Sequence, residues 1–167
     1  MIAYGYMQDN LQRLDRLYRR ARSPKEALFY SKLAILELCG WIEESMDDVV
    51  VRCSVRCLKE LSNRTLVTAE IVKKNYGFHY EKHFRSMMMR IVGLAQVENI
   101  ERKVDAAKHA RFTATLGSLH VVRNAQAHTH LKGVTRTMNA PSVTFTQFQH
   151  VYEGLTEYDR VLRKFIA

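Results

Sequence analysis

Apolar positions recur along this chain at intervals of three and four, the spacing that gathers side chains on one side of an α-helix. Residues 8 to 22 set Leu11, Leu14, Tyr18 and Ala21 at that spacing, with Arg13, Arg16, Arg19, Arg20 and Arg22 over the remainder. The pattern predicts a strongly basic first helix. Ser23-Pro24-Lys25-Glu26 then predicts a helix start: Ser23 caps, Pro24 suits the first helical position and Glu26 closes a capping box. Beyond it, Leu28, Ile35, Cys39, Ile42, Met46, Val49 and Cys53 form the stripe of a long packed helix. Carried to Leu61 this second helix would be roughly 55 Å long. A compact globule of this size needs less, so such a helix suits an elongated bundle or lends its surface to a partner.

Asn63 and Thr65 mark a break, Val67 to Lys74 a short helix, and Asn75-Tyr76-Gly77 a turn. Residues 80 to 93 predict another helix with Phe84, Met87, Met88 and Ile91 inward, ended by Gly93 and followed by a short segment to Asp105. From Asp105 to His130 a helix carries Ala106, Ala110, Ala114, Gly117 and Val121 on one stripe, small residues that would let a neighbouring helix come close. Gly133, Asn139 and Pro141 predict a loop. Thr144 or Thr146 would cap a last helix with Phe148, Val151, Leu155, Tyr158, Leu162 and Phe165 inward. No internal repeat or linker interrupts the pattern, which predicts one all-α, up-and-down helical domain over residues 1–167.

Composition agrees. Seven Gly and two Pro in 167 residues are few for an all-β chain that must turn about every 8–12 residues. Lys and Arg number 26 against 17 Asp and Glu, a formal charge of +9. That excess attracts polyanions such as nucleic acid, although it also serves solubility. No run of about 18 apolar residues spans a membrane, and the N-terminus lacks the basic and apolar regions of a signal peptide. Cys39, Cys53 and Cys57, an odd number on one predicted helix, fit reduced thiols in cytoplasm.

Three groups of residues are candidates for chemistry. His79 and His83 have the spacing of two zinc ligands, but Tyr80 stands where the protease pattern needs Glu, and no third ligand is evident nearby. Cys53 and Cys57 lie on the apolar stripe and read as small core residues. No metal and no cofactor is expected from either pair. The third is Arg123-Asn124-Ala125-Gln126-Ala127-His128-Thr129-His130. On a helix Asn124 and His128 share a face that His120 extends, while Arg123 and His130 share a neighbouring line. His120 and His128 are about 12 Å apart along the axis, too far for one zinc ion. A guanidinium, an imidazole and an amide together suit a phosphodiester: Arg holds phosphoryl oxygens, His moves a proton and Asn orients either. A solvated helical face has the same composition.

Arg123-Asn124-(three residues)-His128 resembles the R-x(4–6)-H signature of the HEPN superfamily, most closely the branch named for the ribonuclease L and prokaryotic Schlafen-associated HEPN domains. The resemblance covers nearly the whole chain: a basic first helix, a long second helix with Gly40-Trp41-Ile42-Glu43-Glu44 at its centre, a variable middle, and the motif before one closing helix. It implies a metal-independent endoribonuclease in which the RNA 2′-hydroxyl attacks the adjacent phosphate, leaving a 2′,3′-cyclic phosphate and a 5′-hydroxyl. Arg123 would stabilise phosphoryl charge, His128 would act as acid or base and Asn124 would position one of them. His130 stands where toxins of this family controlled by a nucleotidyltransferase carry Tyr, and becomes a second site histidine or a surface residue. Glu43, Glu44 and Asp48 are the acidic candidates on the second helix, and Arg13, Arg16, Arg19 and Arg20 the RNA-binding ones. The resemblance further implies a homodimer with one composite cleft, a role in toxin or anti-phage defence and an antitoxin or defence-system partner. The alternative is a non-catalytic HEPN module that binds RNA or serves as an adaptor.

Overall fold

The computed structural model describes residues 2–127 and 138–165, and these contain helices and no strand. Four long helices carry the architecture: α1 (Gly5–Arg19), α2 (Pro24–Cys57), α6 (Ala106–Ala127) and α7 (Pro141–Phe165). Between them lie α3 (Leu61–Leu66), α4 (Ser86–Val92) and α5 (Leu94–Lys103). Cross-helix partners fix the directions. Trp41 meets Phe148 and Arg52 meets Asp159, so α7 runs parallel to α2. His109 meets Tyr158 and Arg123 meets Glu43, so α6 runs opposite to both. With α1 folded back on α2, the long helices alternate up and down.

The second helix begins where its sequence predicts. Ser23 Oγ accepts from the Glu26 N–H at 3.2 Å, with Pro24 in the first turn. The Glu26 carboxylate accepts from Arg22 N–H at 2.7 Å instead of from Ser23, so the box closes one residue early. The helix is 34 residues long and buries Ala34, Leu38, Ile42, Met46, Val49 and Cys53. α1 begins and ends three residues before its predicted bounds, and leaves Ala21 outside it.

Three readings need correction. The short segment expected after Gly93 is α5, which turns Val97 and Ile100 into the core; Gly93, at φ 84°, breaks the chain for one residue only. On α6 the small-residue stripe faces outward: Ala106, Ala110 and Ala114 are exposed and Val121 is 69% exposed. The buried line is Phe112, Thr115, Leu116 and Leu119, because large apolar side chains release more area from water than alanines do. Close approach is provided from the other side, by Gly154 of α7 against the Phe112 ring. The last helix starts at Pro141 rather than after Thr144, since proline lacks only an N–H that the first turn leaves unpaired anyway.

The middle of the chain is irregular. Wide helical turns at Val67–Val72, closed by Lys73 N–H to Thr68 C=O, continue α3, and similar turns at Tyr80–Arg85 precede α4. Tyr80 anchors this region to the long helices. Its hydroxyl donates to Glu101 Oε1 at 2.5 Å and meets Tyr158 Oη at 2.7 Å, which in turn meets His109 Nδ1 at 2.8 Å.

Candidate functional site

The last described turns of α6 bring Arg123 and Asn124 against the middle of α2. Arg123 Nη2 lies 3.6 Å from Glu43 Oε1, with the two side chains 38% and 34% exposed. Arg123 Nη1 donates to Asn124 Oδ1 at 3.4 Å, and Asn124 Nδ2 lies 3.1 Å from His120 Nε2. These two contacts orient the amide: its oxygen faces a guanidinium that can only donate, so its nitrogen is left to donate to the imidazole. His120 Nε2 is then the ring nitrogen that accepts. One side chain thus links a guanidinium to an imidazole.

Of the three acidic candidates, Glu43 is the one that meets the motif. Glu44 and Asp48 line a hollow with Ala3, Tyr6 and Trp41, and Asp48 pairs with Arg52. Asp47, one turn from Glu43, is a residue the sequence reading passed over. Burial, with Glu43 and then Glu44 beside it, pushes its carboxyl up to about 6. Acids at i and i+4 on a helix face were the available signal. Beneath the pair lies Cys39, whose thiol burial pushes up to about 12.

Phe78, His79 and His83 approach the site from the turn before α4. The His120 ring lies 6.0 Å from Phe78, 6.0 Å from His79 and 6.5 Å from His83, centre to centre. The sequence pair therefore has a third imidazole beside it, from forty residues away. His83 Nδ1 accepts from the His79 N–H at 2.9 Å, which occupies one ring nitrogen, and burial holds His83 below the usual histidine range. Gly77 makes this packing possible: at φ 134° it would place a Cβ 2.8 Å from the His83 ring. Among the described residues no group of three His, Cys, Asp or Glu side chains could hold a metal ion.

The remaining predicted residues are placed apart from this cluster or not placed. His128 and His130 lie outside the described residues. Arg16 and Arg19 point into a cavity between α1 and α7, Arg13 lines a groove with Leu33 and Glu37 of α2, and Arg20 is exposed just past α1. Cys53 is buried and Cys57 half-buried, their sulfurs 3.8 Å apart and both thiols free. No helix of the described residues is long and apolar enough to cross a membrane.

No family model, curated protein or solved structure matches the chain. The candidate site therefore rests on its own residues.

Proposed function

We propose that the chain is an endoribonuclease of HEPN type that uses the RNA 2′-hydroxyl as its nucleophile. The observation that carries this reading is the Arg123–Asn124–His120 chain: a guanidinium and an imidazole oriented by one amide, with Glu43 on the far side. Arg123 would hold the phosphoryl oxygens as charge gathers on them. An imidazole, His128 by the motif or His120 by its contact with Asn124, would take the 2′-hydroxyl proton, and an imidazolium would protonate the departing 5′-oxygen. The products are a 2′,3′-cyclic phosphate and a 5′-hydroxyl. In a homodimer two such clusters would share one cleft, and the exposed Phe29 and Leu33 on α2 are surface for such a contact. A toxin or defence role, with an antitoxin or other defence protein as regulator, follows from the same reading.

The test is incubation with a structured RNA with and without EDTA. Cleavage is expected in both, DNA of the same sequence stays intact, and the 3′ ends resist ligation until the cyclic phosphate is opened and removed. Dependence on added magnesium or cleavage of DNA would overturn the mechanism. Light scattering should give about twice 19.5 kDa. One observation favours the non-catalytic alternative, namely that Arg123 already has a carboxylate partner in Glu43. Tight RNA binding without cleavage would decide for it.

A further inference from the structure

The cavity between α1 and α7 lies away from the Arg123 cluster and has a different lining. It is about 330 Å³ in volume, at the lower end of the range of ligand pockets. Its floor is Leu11 and Phe145, and its walls are Gln12, Arg16, Arg19 and Ser142. We propose that this cavity binds a nucleotide unit, with the base on the Phe145 side and the phosphate on Arg16 and Arg19.

Phe145 is half-buried and its ring is held 6.1 Å from that of Phe148, which is packed against Trp41 and Tyr4. An aromatic face fixed in this way stacks a base without first being ordered. Gln12 and Ser142 bring an amide and a hydroxyl, groups that read the edge of a base. The two guanidiniums are distinct. Arg19 Nε is bound to Asp15 at 2.7 Å, which holds its side chain over the cavity and leaves its outer nitrogens to donate. Arg16 makes no hydrogen bond or ion pair among the described residues, so its charge is open to a phosphate. Asp15 is the one acid in the lining. Its other carboxylate oxygen suits a ribose hydroxyl, the group that distinguishes RNA from DNA. A bare phosphate would leave the apolar floor unused, and a purely apolar ligand would bury Arg16 without a partner.

Along α2 the cavity lies nearer the helix start than Arg123 does: Leu14 and Leu17 of α1 reach α2 at Leu33, Arg16 and Arg19 lie on the turns around Leu17, and Arg123 meets α2 further on, at Glu43. Phe145 is one turn from Phe148, which packs at the level of Trp41, and Arg123 meets α2 two residues on, at Glu43.

The test uses adenosine 5′-monophosphate, inorganic phosphate and a labelled single-stranded oligoribonucleotide with 2′-O-methyl groups, which cannot be cleaved by its own 2′-oxygen. The full chain should bind the nucleotide saturably and at least tenfold more tightly than phosphate. Arg16→Ala with Arg19→Ala should weaken oligonucleotide binding about tenfold or more, and Phe145→Leu several-fold, whereas Lys59→Ala, just past the C-terminal end of α2, changes it less than twofold. Circular dichroism should stay at the parent spectrum, because both arginines are exposed. Nucleotide binding that these variants abolish, with oligonucleotide binding unchanged, would assign the cavity to free nucleotides. Equal binding of phosphate and nucleotide, or equal effects of the arginine pair and Lys59→Ala, would overturn the proposal. Because the oligonucleotide is not cut, an inactive enzyme that still binds through Arg16 and Arg19 would sink the ribonuclease reading and leave this site standing.

Discussion

Arg123 joins α6 to α2 through one half-exposed ion pair, which contributes under about 1 kcal/mol to stability. Arg123→Ala should therefore melt near the parent and lose about 10²–10³-fold in cleavage rate, the usual cost of one electrostatic partner of the transition state. Parent-rate cutting by this variant would remove Arg123 from the site. Asp47 behaves differently. Its folded carboxyl binds protons up to about 6, against 3.8 ordinarily, so the folded chain holds more proton than the unfolded chain between those values and loses stability as pH rises through them. Asp47→Asn should raise the melting temperature at pH 7.5, by less than about 1 kcal/mol of stability after solvent screening, and have no effect near pH 3. Equal shifts at both pH values would show that the effect is not electrostatic. The cluster of His120, Arg123 and Asn124 was legible as sequence because its spacing lies within one helix. Which of Glu43, Glu44 and Asp48 meets it was not, because that depends on the rotation of α2 about its axis, set by packing against α1, α6 and α7. The turn at Gly77 was legible, but that it carries His79 and His83 to His120 was not, because that depends on how the chain packs after the turn.

At the scale of elements, helices with a wide apolar stripe were readable and those with a narrow one were not. α2 and α7 follow their predicted stripes through Ile42, Met46, Phe148 and Leu155. α5 offers only Val97 and Ile100, one turn's worth of burial, which a pattern search passes over. α6 misled because its exposed face also carries apolar residues, Ala106, Ala110, Ala114 and Val121; Phe112, Leu116 and Leu119 outcompeted them for the core. The two mid-helix glycines of α6 and α7 test that orientation with opposite signs. A Cβ at Gly117 meets nothing within 4 Å, so Gly117→Ala gains helix propensity and should stabilise the chain by about 0.5–1 kcal/mol. A Cβ at Gly154 would lie 2.5 Å from Phe112, whose own Cβ cannot swing aside, so Gly154→Ala should destabilise by about 1–3 kcal/mol despite the same propensity gain. Urea titration of both variants reads the difference; a destabilised Gly117→Ala would put the small-residue stripe back in the core.

For the whole molecule, the charge of +9 is unevenly placed. From Leu33 to Val51, α2 carries Glu37, Glu43, Glu44, Asp47 and Asp48 and no Lys or Arg, so its outward face repels a phosphate backbone. On the proposed ribonuclease reading, contacts to RNA are left to Arg16 and Arg19 at the cavity and to Arg123 beside α2. Each phosphate contact to a single strand contributes about −0.7 to the slope of log affinity against log salt, so three contacts give about −2. Lys132 and Arg136, which lie outside the described residues, would carry it to about −3.5 if they also engage. A surface that used all nine net charges would give about −6. Anisotropy of the uncleavable oligonucleotide across a potassium chloride series should therefore give a slope between about −2 and −3.5. Replacing Arg16 and Arg19 together should make it shallower by about 1.4, the share of two contacts, with the parent fold retained. A slope near −6 that the double variant leaves unchanged would mean that charge alone, spread over the surface, holds the RNA, and that neither the cavity nor the Arg123 cluster directs it.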